Sequence, residues 1–302
     1  MSQTTGSARL PEQRALRESI LASAVLGAVA LIWGVVAESS VLIFDGIYMV
    51  LGIVLSGLSL LAASAARAAP TQRFPFGKKA ATPLAIGVQG AALFGTLLYA
   101  ATDAVAAIRG GGTDVAPETV LAYGVVSGVV SLFVVWRLRR LSGSELVMAE
   151  VSQWRAGTLL SGVIATGGAV ALWLDGGAWE DAADYADPVL VLIACALIAP
   201  VPFRLLRSAG LELLEGAPPP VIQTEIAAAV GEVRAAFGLP DPYVAATKLG
   251  GRLYLEVVFV VEPGWEVAEE DAVRHAIIDR LAPLGYDVWA NVELTTDVDL
   301  AE

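Results

Sequence analysis

Six long apolar segments limit what this chain can fold into. They cover about residues 20–37, 41–64, 82–107, 119–136, 146–174 and 188–208. Since a bilayer core about 30 Å thick needs roughly 20 apolar residues, each segment is predicted to be a transmembrane helix. Only 17% of the 302 residues are charged, whereas an ordinary soluble domain has about 25%. The sequence therefore predicts an integral membrane protein.

The basic residues indicate the side of the membrane on which each loop lies. Twelve Lys and Arg residues fall in the N-terminal tail, in the loops after the second and fourth segments, and at the exit of the sixth. On the other side Arg109 stands alone, and the loop before the sixth segment is acidic. Because cytoplasmic loops are enriched in Lys and Arg, we expect a multi-pass protein of the cell membrane with both termini in the cytoplasm.

A change in composition near residue 210 predicts two domains. Residues 1–210 hold all six apolar segments and are expected to form a six-helix transmembrane domain. Residues 211–302, called the tail domain below, hold 17 of the 31 acidic residues and only 5 of the 19 basic residues. The tail domain is therefore predicted to be a separate, acidic and cytoplasmic domain.

The patterns in the tail domain predict an αββαβ order. Helical periodicity over 221–237 ends at Gly238, a common helix stop. Two β-rich stretches, 243–248 and 252–261, follow and are joined by two glycines, which is typical of a hairpin. A second helix over about 266–283 and a last strand complete the domain. The predicted fold class is thus an α-helical membrane protein with a small α+β tail.

The composition also excludes several classes of function. With one cysteine, Cys195, and one histidine, His275, the chain has no disulfide framework and no thiolate metal cluster. The same scarcity excludes a Ser-His-Asp triad in the membrane half, so we expect no enzyme activity and no bound cofactor. A net charge of −12 argues against nucleic acid as a partner.

Polar side chains inside the predicted spans are the candidates for function, because burying them in a membrane is costly. Asp45 lies early in the second segment, and Met49 follows one helical turn later on the same face. Glu150 and Gln153 lie near the cytoplasmic end of the fifth segment. A carboxylate, a thioether and an amide together can bind a cation.

Most of these residues also have a structural interpretation. Met49 fits packing or lipid contact as well as it fits a ligand. Gln153 fits a hydrogen bond between helices, and Glu150 fits a solvated or paired residue at the interface. An unpaired carboxylate about one turn into a span has no such ready explanation, so Asp45 is the strongest candidate.

Three motifs in order resemble the cation diffusion facilitator family over about residues 17–296. That family's second span resembles SSVLIFDGIYMVLGIVLSGLSL, and its loop into the third span resembles RFPFGKKAATPLAIGVQGAAL. Its sixth span resembles ADPVLVLIACALIAPVPFRLLRSAGLELLEGAPP. The resemblance implies efflux of a metal cation in exchange for protons, and a homodimer that forms through the cytoplasmic domain.

The resemblance also implies where the transport site lies. The family's four ligands, usually Asp or His, fall on Asp45, Met49, Gln153 and Gly157, of which Asp45 alone keeps the family pattern. Glu150 becomes a replacement ligand if the fifth helix is rotated. A tetrahedral zinc site needs four N, O or S ligands, so the pattern does not predict zinc.

Two functions are compatible with the sequence. The first is a cation transporter of this family, in which Asp45 is the main ligand and the proton carrier, with the cation left unidentified. The second is a transport-silent relative that serves as a binding or regulatory partner of an active transporter. The last strand has Asn291 and Glu293 where the family commonly has His, so no regulatory metal is expected in the tail domain.

Overall fold

A computed structural model describes the backbone of residues 9–141, 145–174 and 180–301 and the side chains of 17–140, 151, 153–174 and 182–301. In the described part, six helices have the length and composition to cross a membrane. They span Arg17–Val36, Ser40–Arg67, Ala81–Gly110, Pro117–Arg140, Gln153–Leu174 and Ala186–Leu213. The six predicted spans are therefore confirmed, and the protein is a multi-pass membrane protein.

The first five spans are single helices, and the sixth is built from two. Helices α1 to α5 cover Arg9–Val36, Ser40–Arg67, Ala81–Gly110, Pro117–Leu141 and Glu145–Leu174. A short α6, Glu180–Ala183, precedes α7, Ala186–Ile198, and α8, Pro200–Leu213. The interruption at Ala199 comes directly before Pro200, which has no N–H to continue the helical ladder.

The chain divides into two compact units. The first unit comprises Met1–Gly57 and Ala91–Phe203, and the second comprises Leu58–Gly90 and Arg204–Glu302. The division at residue 210 that the composition suggested, into a six-helix transmembrane domain and a cytoplasmic tail domain through which the protein dimerises, stays a prediction.

Small residues allow the helices of the first unit to approach closely. A Cβ added at Gly34 would lie 2.7 Å from the backbone nitrogen of Ile43, and one added at Gly46 would lie 2.9 Å from that of Leu31. These contacts join α1 to α2, as small residues do between membrane helices. Between α4 and α5, added Cβ atoms at Gly124 and Gly168 would collide with the facing backbone.

The second unit contains the tail domain. Its elements are α9, Pro220–Phe237; β1, Tyr243–Leu249; β2, Arg252–Val260; α10, Val267–Leu281; and β3, Asp287–Thr295. The three strands lie in the order β1-β2-β3, with β1 antiparallel and β3 parallel to β2. The αββαβ order and the α+β class are therefore confirmed.

Alternation along β2 determines which side chains form the tail core. Leu253, Leu255, Val257 and Phe259 are all 3% exposed or less, and they pack in one cluster with the apolar faces of α9 and α10. Between β1 and β2 the chain turns at Gly250, whose φ of +60° favours glycine. A side chain period of two explains why every second residue of β2 reaches this core.

Polar contacts fix the β1–β2 turn within the second unit. Glu212, near the end of α8, accepts hydrogen bonds from the Lys248 ammonium at 2.5 Å and from the Gly250 N–H at 3.0 Å. The Lys79 ammonium lies 3.4 Å from Asp287 at the start of β3. The loop between α2 and α3 and the exit of α8 thus both contact the sheet of the tail domain.

Candidate cation site

Asp45 lies in the second turn of α2, where its side chain is 5% exposed. The residues around it in the sequence are apolar, and Leu42 and Phe44 belong to the main core cluster of the first unit. A carboxylate in such surroundings loses its hydration and needs a hydrogen-bond partner from the protein. Asp45 is therefore a buried polar group of the kind that marks function in membrane proteins.

The partner of Asp45 is Tyr123 of α4. The Tyr123 hydroxyl donates a hydrogen bond to Oδ2 of Asp45. Tyr123 itself is fully buried, and its ring stands edge-on to Trp33 of α1 with the centroids 6.1 Å apart. Contacts with α1 and α2 thus hold the phenol of α4 in place, so that two protein oxygens from α2 and α4 lie together in the core.

A second buried carboxylate, Asp187 of α7, fixes the start of the helix that carries Asp45. Asp187 accepts a hydrogen bond from the Ser39 hydroxyl at 2.5 Å and from the Ser40 N–H at 2.9 Å. The Val41 N–H is a longer donor at 3.4 Å. These groups lie at the N-terminus of α2, where the first N–H groups lack helical partners and the helix dipole favours a negative charge. Asp187 is therefore an N-cap that one helix supplies to another.

Met49 lies one turn beyond Asp45 among apolar neighbours. A Cβ added at Gly27 of α1 would be 3.1 Å from the Met49 Cβ, so this part of α2 faces α1 closely. The side chain is half-buried and packs against a cluster of six buried residues: Leu26, Val134, Val135, Leu138, Val151 and Trp154. This setting suits the packing interpretation, and the ligand role of Met49 stays a prediction.

Only some of the predicted ligand residues on the fifth helix have side chains that the structure describes. Gln153 is exposed, and the side chain of Glu150 lies outside the described residues. Beside Gly157 the nearest atom to an added Cβ is the Ser131 hydroxyl oxygen, at 4.0 Å. Among the described residues, no group of three or more His, Cys, Asp and Glu side chains could hold a metal ion.

Sequence reasoning missed Tyr123 and the role of Asp187. Both act across long separations, 78 residues for Tyr123 with Asp45 and 148 for Asp187 with Ser39. The available signal was a phenol inside an apolar span and an acid at the start of the sixth span, since buried polar groups need partners. Neither signal says which helix supplies the partner.

The sequence model of the cation efflux transmembrane domain matches residues 16–214. This stretch covers the six spans, so the class of protein is a cation transporter of the cation efflux kind. The chain belongs to the cation diffusion facilitator family, as its motifs indicated. No curated protein sequence matches the chain.

Proposed function

We propose that this protein exports a divalent metal cation in exchange for protons, with Asp45 as the residue that binds each in turn. The observation that carries the proposal is the burial of Asp45 beside a neutral donor, the Tyr123 hydroxyl. A carboxylate must lose its proton to bind a metal ion, so binding of the cation and of the proton exclude each other. This exclusion is the physical basis of exchange.

The Asp45–Tyr123 pair supports a preference for cations that favour oxygen. A carboxylate and a phenol offer hard ligands, which suit Mg²⁺ or Mn²⁺ better than ions that prefer thiolate or imidazole. Met49, Gln153 and Glu150 are proposed as additional, weaker ligands. With so few strong protein ligands, the cation would keep part of its water shell, as Mg²⁺ does in many sites.

The proposed setting is the cell membrane, with both termini in the cytoplasm and lipid around the spans. The twelve basic residues on one side against Arg109 on the other support this orientation. Outward apolar side chains such as Leu60, Trp173 and Val36 are more than two-thirds exposed in the chain alone, as contact with lipid tails requires.

Two copies are proposed to pair through the tail domain. The acidic excess of this domain opposes pairing, and salt screens such repulsion with a Debye length of about 8 Å at physiological ionic strength. Monovalent salt should therefore favour the dimer, whereas divalent metals should act weakly and without selectivity. The mass of the purified full chain at low and high salt tests this, and a monomer at micromolar concentration in both would contradict it.

A transport assay tests the proposed function. The full chain is reconstituted in vesicles that hold a pH-sensitive dye and is screened with Mg²⁺, Mn²⁺, Fe²⁺, Co²⁺, Ni²⁺, Zn²⁺ and Cd²⁺. At least one cation should move with a counterflow of protons, and Asp45→Asn should reduce both flows to background. Asp103→Asn is the matched control, because Asp103 is an exposed carboxylate of α3; it should transport as the wild type does.

The second candidate is a transport-silent subunit that binds an active transporter. It is favoured by the apolar setting of Met49 and the exposure of Gln153, which leave two family ligand positions without a clustered site. If no cation in the screen moves and Asp45→Asn folds and behaves as the wild type, this second function takes over.

A further inference from the structure

Ser131 of α4 has an unusual hydroxyl. Its side chain is 1% exposed, and its oxygen has no hydrogen-bond partner among the residues that the structure describes. An unsatisfied hydroxyl costs free energy in an apolar environment, and more so in a membrane, where water is scarce. A buried hydroxyl without a hydrogen-bond partner therefore requires a structural explanation.

Other serine and threonine hydroxyls in the spans show how such a group can be hydrogen-bonded without water. Thr96, Thr158, Ser161 and Thr166 each donate to the carbonyl oxygen four residues earlier in their own helix, at 2.7 to 3.0 Å. This back-bonding is the ordinary way for a helix to satisfy a hydroxyl without water. Ser131 does not use it, so its hydroxyl is directed elsewhere.

The hydroxyl of Ser131 lies next to the position that a side chain at Gly157 of α5 would occupy. It is the nearest atom to a Cβ added at Gly157, at 4.0 Å, so the absence of a side chain at Gly157 leaves space there. Polar groups also lie on the neighbouring turns of the two helices. Ser127 donates to the Ser161 hydroxyl at 3.0 Å, and Ser161 donates to the Gly157 carbonyl at 3.0 Å.

We propose that Ser131, Ser127, Ser161 and the Gly157 carbonyl bind water between α4 and α5. A buried water makes about three hydrogen bonds, and this site offers a free donor at Ser131 and acceptor oxygens along α5. The term "hydroxyl seam" denotes these four residues below. The seam explains both the orientation of Ser131 and the glycine opposite it.

The seam continues the polar line that starts at Asp45. Tyr123, Ser127 and Ser131 follow each other at intervals of four residues on α4, which places them on neighbouring turns of one face. Water in the seam would then hydrate the route of the ions that reach Asp45. This role rests on the proposed transport function, whereas the water site itself does not.

Thiol labelling tests whether the seam is wet. Cys195 is first replaced by alanine, and Ser131→Cys is compared with Val134→Cys, a position on the same helix that packs in an apolar cluster. Because methanethiosulfonate ethylammonium reacts with a hydrated thiolate, it should modify Ser131→Cys at least about tenfold faster. Equal rates, or no reaction at Ser131→Cys, would overturn the water site.

Thermal unfolding gives a second, independent test. Ser131→Ala should lower the Tm, as Ser127→Ala should, because each variant removes hydrogen bonds, in one case to water and in the other to Ser161. In a dry seam, Ser131→Ala would instead remove an unsatisfied group. A raised or unchanged Tm for Ser131→Ala would therefore contradict the proposal.

The role of the seam has its own measurement. Ser131→Val, which fills the space with methyl groups, should slow cation and proton flow in vesicles at least severalfold. Ser131→Thr keeps the hydroxyl and should transport at close to the wild-type rate. If labelling shows a wet seam but both variants transport as the wild type does, the water site stands and its role in transport is wrong.

Discussion

Acidic side chains are stabilised in different ways in the two units. In the first unit, Asp45 and Asp187 are buried and accept hydrogen bonds from neutral groups, a phenol in one case and the start of α2 in the other. In the second unit, Asp287 and Glu212 pair with cationic side chains: Arg252 and Lys79 in one case and Lys248 in the other.

The difference bears on which carboxylate is the better candidate to bind an ion. A carboxylate next to Arg or Lys already has a positive partner, and a second cation gains little there. A phenol orients Asp45 but leaves its charge unbalanced, so a metal ion or a proton is still needed to neutralise it. Asp45, buried beside a single neutral hydroxyl, is therefore the carboxylate that we propose for the transport site, whereas Asp187 already interacts with the N-terminus of α2.

The largest expected effect lies in the apolar core of the tail domain. Phe259 is fully buried on β2, so Phe259→Ala should cost about 3–5 kcal/mol of unfolding free energy. Val244 on β1 is 40% exposed, and Val244→Ala should stay within about 0.5 kcal/mol. Denaturant unfolding of the full chain, followed by circular dichroism, measures both. Similar losses in the two variants would show that this core does not stabilise the domain.

The cap that α7 supplies to α2 should have the next effect. Asp187→Ala leaves the Ser39 hydroxyl and the Ser40 N–H without their acceptor, at a cost of about 2 kcal/mol. Asp187→Asn keeps one acceptor oxygen and should lose less. Thermal unfolding in detergent checks the order, and an alanine variant as stable as the wild type would remove the cap from this account.

Tyr123→Phe tests the contribution of the neutral hydrogen-bond donor beside Asp45. It deletes only the hydroxyl that donates to Asp45, so the fold should persist while cation binding weakens about tenfold, or roughly 1.4 kcal/mol. Titration of the purified protein with the transported cation measures the change. Tyr185→Phe, which changes a half-buried phenol in the loop before α7, is the matched control. Equal affinity in Tyr123→Phe and the wild type would exclude the phenol from the site.

The surface ion pair should have the smallest effect and a defined pH dependence. The hydrogen bond from Arg252, with help from Lys79, holds the pKa of the Asp287 carboxyl below its ordinary value. The stabilisation of the folded state by this ion pair is therefore present above the unfolded pKa of Asp287, about 3.9, and is lost as the pH falls through the lower folded pKa. Since Asp287 is half exposed, Asp287→Asn should cost at most about 0.5 kcal/mol near pH 7. The difference in unfolding free energy between the wild type and Asp287→Asn should vanish in acid. A larger difference in acid than at neutral pH would contradict this prediction.

Local patterns predicted most of the fold but only part of the site. Apolar length gave the six spans, and the two-residue period of β2 with its glycine turn gave the αββαβ order, because both signals lie within one element. Asp45 could be found in the same way, as a charge inside a span. Tyr123 could not, because its role depends on how α2 and α4 pack, and no local period encodes that contact. The cap from Asp187 was missed for the same reason.

Cation binding at equilibrium tests most directly whether Asp45, unlike Asp287, is a carboxylate that binds the transported cation. The cation that moves fastest in the vesicle screen is titrated into the purified full chain, Asp45→Asn and Asp287→Asn at neutral pH. We expect saturable binding in the wild type, the same binding in Asp287→Asn, and its loss in Asp45→Asn, with proton release only where the cation binds. Binding by Asp45→Asn with the affinity of the wild type would contradict the account.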